Sequence, residues 1–230
     1  MTESRPDPHP DTDPDVDLVL PCRDEAAALR ELLPRVPSTL GVIVVDNGST
    51  DDTADIARAQ GARVVSEPRP GYGAAVHAGL LAATAPYVVV MDGDGSFDPA
   101  DALRLVETIR RGETDLALGR REPVVRGAQP WHAKAGNRLV LAALRRRTGL
   151  RVHDIAPMRA ARREALLELG VADRRSGYPV ELLARATRAG WRVHEESVDY
   201  HPRTAGTRSK VSGSVRGSMT AAYDFWRVLG

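Results

Sequence analysis

Cysteine is nearly absent from this chain of 230 residues: Cys22 stands alone, which excludes an internal disulfide framework and suits a reducing compartment. Aromatic residues make up 4% of the sequence, too few for a platform on which bases stack. Neither sign of charge dominates, since 32 Lys/Arg meet 31 Asp/Glu for a formal net charge of +1; a globally basic footprint for nucleic acid is therefore missing. No apolar run reaches the roughly 18 residues that a membrane-spanning helix needs. The N-terminus also lacks the basic-then-apolar order of a secretory signal. A cytoplasmic protein without a nucleic-acid partner is expected. Residues 1–15 hold much Pro, Asp and Thr but little apolar surface, so they are expected to form a disordered leader.

What is present suffices for a core, with 42% hydrophobic and 27% charged residues, ordinary values for a globular domain. Residues 16–20, 41–45, 62–65, 87–90 and 115–119 read as short buried strands. Between them lie helical patterns: Leu29, Leu32, Leu33 and Val36 on one face, then Ala54, Ile56 and Ala59, a small-residue helix over 74–83, and Leu103, Val106 and Ile109 behind Asp98-Pro99. Strands alternating with helices predict an α/β fold, its mostly parallel sheet covered on both sides. After Gly119 the pattern changes to an Arg-rich connection, a helix over 133–147, a short segment at 150–152, helices near 162–169 and 180–189, and an alternating strand over 191–200. The Arg145-Arg146-Arg147 run reads as a solvated or membrane-facing helix end. In the tail, Val211, Val215, Met219, Ala222 and Trp226 fall at helical spacing, an amphipathic pattern suited to an anionic membrane surface.

Chemistry concentrates at Met91-Asp92-Gly93-Asp94, directly after the fourth strand. Two carboxylates at alternate positions there would face the crevice at the sheet's carboxyl edge, where open α/β sheets bind ligands. Mg2+ or Mn2+ prefers oxygen donors, uses one or two carboxylates and leaves its other positions for water and phosphate. The plainer role of capping the next helix is equally open to these residues on local grounds. Gly71-Tyr72-Gly73 would let backbone approach a donor molecule closely. It is not a dinucleotide fingerprint, because its spacing departs from G-x-G-x-x-G and it follows the third strand, not the first.

Five segments in order carry a family resemblance: Leu20-Pro21-Cys22-Arg23-Asp24-Glu25, Val44-Val45-Asp46-Asn47-Gly48-Ser49-Thr50-Asp51, Asp92-Gly93-Asp94, Gly119-Arg120-Arg121, and Tyr200-His201-Pro202-Arg203 followed by Gly206 and Ser209-Lys210-Val211-Ser212-Gly213. Together they resemble the family 2 glycosyltransferases of GT-A fold, in the branch of polyprenol-phosphate (dolichol-phosphate) mannose and glucose synthases. The resemblance implies a GT-A (Rossmann-like) mixed, mainly parallel sheet flanked by helices, a single domain over 16–208 with a helical C-terminal extension over 209–230. It implies an inverting, metal-dependent transfer of a hexose from a nucleoside diphosphate sugar to a polyprenyl phosphate, with peripheral membrane contact. Asp92 and Asp94 would be the metal ligands, Asp94 more directly. Pro21, Glu25, Asp46, Asn47, Gly73, Asp92 and Gly93 would bind the donor. Arg203 and Lys210 would join Asp94 in stabilising the departing diphosphate, and Arg120, Arg121 and Arg126 would bind the acceptor. Asp154 would act as a general base toward a hydroxyl acceptor, or orient a phosphate acceptor that needs no base.

Departures from the family pattern are Asp24 in place of Asn, Asn47 in place of the second Asp, Ser96 where some relatives have a further metal-facing side chain, and an altered stretch over 129–133. His201 is expected to be structural or exposed. Transfer to a soluble phosphorylated acceptor and non-catalytic binding of a nucleotide sugar are the rival functions. A nucleotidyltransferase would need a Gly-rich basic first loop, and residues 21–25 offer only Arg23.

Overall fold

The computed structural model describes residues 14–125, 131–204, 225 and 227. Residues 1–13 of the leader, Arg126, Lys210 and all of the expected C-terminal extension except Phe225 and Arg227 lie outside them. Seven strands, β1 (Val16–Cys22), β2 (Leu40–Asp46), β3 (Arg63–Ser66), β4 (Tyr87–Val90), β5 (Leu116–Pro123), β6 (Met158–Arg162) and β7 (Val193–Tyr200), form one sheet in the order β3-β2-β1-β4-β6-β5-β7. All neighbours pair in parallel except β6, which runs antiparallel to both β4 and β5. This is the mixed, mainly parallel single-domain sheet that the resemblance implies. The chain winds outward from β1 through β2 to β3 and then returns to place β4 on the other flank of β1. A topological switch point therefore falls between β1 and β4, the place where such sheets open a crevice beyond their strand ends.

Successive strand residues face opposite sides of a sheet, and the core divides accordingly. Val88 and Val90 join Val19, Val45, Leu116 and Leu118 in one layer with helices α3 (Tyr72–Ala82), α5 (Trp131–Thr148) and α7 (Tyr178–Arg188). Val89 and Met91 join Leu18, Leu20 and Val44 in the other layer, under α1 (Ala26–Leu32), α2 (Thr53–Ala59) and α4 (Asp101–Arg110). Burial on both faces explains why β4 reads as an unbroken apolar run and β1 as one broken by Asp17, whose buried carboxylate accepts the Thr84 and Ala85 N–H groups at 2.7 and 2.9 Å. Helix α3 lies against β1 and β2 because Gly79 has no side chain: a Cβ there would collide with Val19 and crowd Val45 at 3.0 Å.

Two expectations need correction. The segment at 150–152 is loop, and the strand that fills the sheet is β6, with α6 (Arg163–Glu168) directly behind it. Met158-Arg159-Ala160-Ala161-Arg162 contains no β-branched or aromatic residue, so its local preference is weak. The slot between β4 and β5 supplies the pairing instead, through the registers Val89↔Ala160 and Ala117↔Ala160. In addition, α4 begins at Asp101, two residues beyond Pro99; the Asp98 carboxylate accepts the Ala100 N–H at 3.0 Å in the turn that precedes it.

Candidate active site

The carboxyl ends of β1, β2 and β4 place Glu25, Asp46, Asp92 and Asp94 close enough for their charges to act on the buried Cys22 thiol. Burial pushes the Cys22 thiol well up, and the fields of Glu25, Asp94, Asp92 and Asp46 push it further. A Cβ on Gly93 would strike that sulfur. Gly93 is thus needed for the D-G-D turn to close against β1, a packing role that supports the neighbouring carboxylates.

Hydrogen bonds between side chains and backbone hold this half of the site. The Asp46 carboxylate accepts the Ser49 N–H at 2.9 Å, while the Ser49 hydroxyl accepts the Asp24 N–H at 3.0 Å. Asp24 in turn accepts the Thr50 N–H at 2.7 Å. Its φ of 54° lies in the left-handed region, which Asn and Asp tolerate better than other side chains. The Asn-to-Asp departure at this position therefore preserves the turn. Glu25 is buried, and its N–H donates to the Thr53 hydroxyl at 2.9 Å.

Asn47 is held by backbone of this chain. Its amide NH2 donates to the Glu67 and Arg69 carbonyls at 2.8 Å each, and its carbonyl oxygen accepts the Gly71 N–H at 2.9 Å. These bonds fold the loop between β3 and α3 onto the strand ends. Gly73 lets backbone of this chain approach closely. Its N–H donates to the Arg175 carbonyl at 3.0 Å, and a Cβ there would meet Asp173, Arg174 and Tyr178.

Asp94 is buried, and one carboxylate oxygen accepts the Ser96 N–H at 3.0 Å. The other meets the Arg203 guanidinium at 2.9 Å. Backbone pairing delivers Arg203 there: the His201 N–H donates to the Ser96 carbonyl at 3.0 Å and the Thr204 N–H to the Asp94 carbonyl at 3.2 Å. His201 itself is exposed. Asp92 is pushed up to about 6, first by burial and then by the charge of Asp94, against the opposing fields of Arg159, Arg203 and Arg121. Asp92 and Asp94, close enough that the charge of Asp94 raises Asp92, form an oxygen donor set that suits a divalent cation. Ser96 Oγ, fully buried and lacking a hydrogen-bond partner among the described residues, is a further oxygen beside Asp94. Among the described residues no cluster of three or more His, Cys, Asp or Glu side chains can hold a metal. Water and phosphate would have to complete the coordination, as Mg2+ ordinarily permits.

The other half of the site centres on Arg121. Its Nε and Nη2 reach the Asp154 carboxylate at 2.8 and 2.5 Å, and its backbone N–H reaches the same group at 3.1 Å. The guanidinium also lies 5.9 Å from the centre of the Tyr200 ring. Burial alone would raise the Asp154 carboxyl, yet the bonds and charge of Arg121 outweigh it and hold the group below the ordinary carboxylate value. A carboxylate so stabilised is a poor proton acceptor. The general-base option for Asp154 is therefore set aside in favour of fixing Arg121. Arg120, one residue earlier on β5, diverges from Arg121 and donates to the Ser197 hydroxyl at 2.7 Å. The expected arginine group is thus reduced to Arg121 among the described residues.

Two groups were missed in the sequence. Arg159 on β6 is buried, donates to the Tyr72 hydroxyl at 2.9 Å and exerts the strongest offsetting field on Asp92. Tyr72 links the two, interacting with both Arg159 and Asp92; burial leads the effects that push its phenol up to about 12. The available signal was a lone arginine inside an Ala/Met run, since a charged residue is seldom buried without a partner.

Comparison with known proteins agrees with this geometry. Residues 17–170 match the family described as Glycosyl transferase family 2. An uncharacterized glycosyltransferase of Mycobacterium tuberculosis is 58% identical over 214 residues, covering 93% of this chain and 97% of that protein. A dolichyl-phosphate hexose transferase of Haloferax volcanii is 32% identical, covering 84% of this chain and 86% of its own. Among solved structures, glucosyl-3-phosphoglycerate synthase from M. tuberculosis, in complex with Mn2+, UDP and glucosyl-3-phosphoglycerate, superposes with a TM-score of 0.73 at 26% identity, covering 93% of this chain and 78% of that one. The chain belongs to glycosyltransferase family 2, has the GT-A fold and is a hexosyltransferase.

Proposed function

We propose that the enzyme moves a hexose from a nucleoside diphosphate sugar to a phosphate-bearing acceptor, a polyprenyl phosphate in the first instance, by in-line displacement with inversion. An acceptor phosphate oxygen bonds to the anomeric carbon as that carbon's bond to the diphosphate breaks. Asp94 and Asp92 would hold Mg2+ or Mn2+, which when bound offsets the charge growing on the departing diphosphate. Arg203, already seated at Asp94, would meet the same phosphates; Lys210 is proposed beside it from the ending motif alone. Pro21, Glu25 and Asp46 form the wall for the base, and Asn47 positions the loop over it. Arg121, aimed by Asp154, receives the acceptor.

The observation that carries the acceptor class is the Arg121–Asp154 pair. A hydroxyl nucleophile needs a base, and the expected one is locked as an ion-paired carboxylate. A phosphate monoester, with a second pKa near 6, is already anionic at neutral pH and needs none. The Haloferax relative supports a lipid phosphate. The phosphoglycerate enzyme supports the second reading, a soluble acceptor held by its phosphate at the same arginine; there a hydroxyl would attack, and a base other than Asp154 would have to take its proton.

The test is sugar transfer from UDP-, GDP- and dTDP-hexoses, with Mn2+ or with chelator, to a short-chain polyprenyl phosphate, to phosphoglycerate and to dephosphorylated versions of both. Mn2+-dependent transfer to the prenyl phosphate is expected. Transfer confined to phosphoglycerate would establish the second reading, and transfer to the dephosphorylated acceptors would overturn both.

A further inference from the structure

Helix α5 stands apart in charge. Its eighteen residues include Lys134, Arg138, Arg145, Arg146 and Arg147 but no Asp or Glu, whereas every other α-helix among the described residues that carries Asp, Glu, Lys or Arg carries both signs. Residues three and four apart share a helix face. Ala135, Arg138, Leu139, Ala142, Arg145 and Arg146 fall on one such face, and all six are exposed, Leu139 at 72%. Arg138, Arg145 and Arg146 form no ion pair among the described residues. Cations in a last turn do complement the helix dipole, but that benefit ends within a turn and leaves both Arg138 and the exposed Leu139 unexplained.

The opposite side of α5 is buried through Leu141 and Leu144 and is bound to the acceptor half of the site. The Asn137 carbonyl oxygen accepts the Ile155 N–H at 3.2 Å, and its NH2 donates to the His153 carbonyl at 3.4 Å. These residues flank Asp154 and so set the place of Arg121. An α-helix with its side chains is about 10–12 Å across. A flat surface lying on the outer face of α5 would sit roughly one helix diameter from the group that fixes the acceptor arginine.

We infer that this face of α5 docks on an anionic lipid bilayer, its arginines against headgroup phosphates and Leu139 among the upper acyl carbons. The inference rests on the lipid-phosphate reading for its purpose: it seats the acceptor arginine at the depth where a polyprenyl phosphate presents its headgroup. Arginines near an anionic surface each add attraction that fades within a Debye length, so docking is salt-sensitive and needs no spanning helix.

Flotation of the full chain with phosphatidylcholine vesicles, and with vesicles that also contain phosphatidylglycerol, tests it. The wild type is expected to float with the anionic vesicles only, and to be released by salt. The triple change Arg138→Glu, Arg145→Glu, Arg146→Glu is expected to lower partitioning by about tenfold or more, with Leu139→Glu smaller in the same direction. Transfer to a water-soluble short-chain polyprenyl phosphate should stay at wild-type values, because the four side chains are exposed and outside the site. The thermal midpoint of the triple variant should fall by only a few degrees, about the cost of reversing two charges that complement the helix dipole. A wild type that does not float, variants that float equally, or light scattering that shows a dimer broken by the same changes would overturn the docking. Should docking hold while no prenyl phosphate accepts sugar, the acceptor reading fails and the surface stands.

Discussion

The two halves of this site, proposed for the donor and for the acceptor, are built by different forces. Around Asp46, Asp92 and Asp94 the loops are joined mainly by side-chain bonds to neighbouring backbone, as at Ser49, Thr50, Ser96 and Gly71. Around Arg121 the main ties are long-range and charged: Asp154 reaches back to β5, and Glu195 on β7 receives the His153 and Asp154 N–H groups at 2.8 and 3.0 Å. The bonds around the three aspartates fix the local shape of each loop. Ion pairs fix shape and charge together, so a single truncation there costs both.

The largest expected effect falls on the donor half. Asp94→Asn should lower kcat by about 10²–10³-fold, the scale for losing one preorganised electrostatic group, while calorimetry still detects the nucleotide sugar. Equal loss of binding and turnover would instead mark Asp94 as a structural residue. Next comes Arg121→Ala, which strands the Asp154 carboxylate in a buried position. A cost of about 3–5 kcal/mol in urea unfolding is expected, together with a raised KM for the acceptor and little change in that for the donor. Arg121→Lys keeps the charge but loses the bidentate fit, so it should restore stability more than acceptor KM.

Asp154 sharpens the contrast through pH. Its folded pKa is depressed, so the native state binds fewer protons than the unfolded chain; the stabilisation is present above the ordinary value of 3.8 and lost as pH falls through the folded one. Asp154→Asn should therefore destabilise at pH 7, with a penalty that shrinks below about pH 4, as followed by thermal melts. Asn47→Ala, which removes three buried bonds, should cost roughly 2–3 kcal/mol with no such pH dependence, and should raise KM for the donor more than for the acceptor. The smallest effect belongs to Arg120→Gln, within about 0.5 kcal/mol in stability and near wild-type acceptor KM. An Arg120 effect as large as that of Arg121 would restore the arginine group that the strand geometry divides.

The same contrast explains what was legible in the sequence. Asp46, Asp92 and Asp94 stood out because each ends or directly follows a strand whose apolar run is visible, and Asp46 and Asp94 also accept N–H groups only three and two residues on. Arg159 could not be located: it depends on β6, a strand whose composition does not favour one and which forms only between β4 and β5. The pairing of Arg121 with Asp154 crosses 33 positions of chain, and nothing local to either residue reports it. The bonds that Asn47 and Gly73 make to backbone of this chain were not legible either. The loops they hold become visible only once β3, α3 and the 173–175 segment are packed together.

By itself the amino-acid order determined the alternation of strand and helix, the parallel left half of the sheet and the set of acidic strand ends, because buried runs and turn residues act over a few positions. Tertiary structure alone decided that β6 runs antiparallel, that Arg120 and Arg121 part company, that Asp154 is an ion-paired anchor and that α5 shows a basic face. Those outcomes depend on which distant segments share a neutral interior, where a charge must find its counter-charge or stay at the surface.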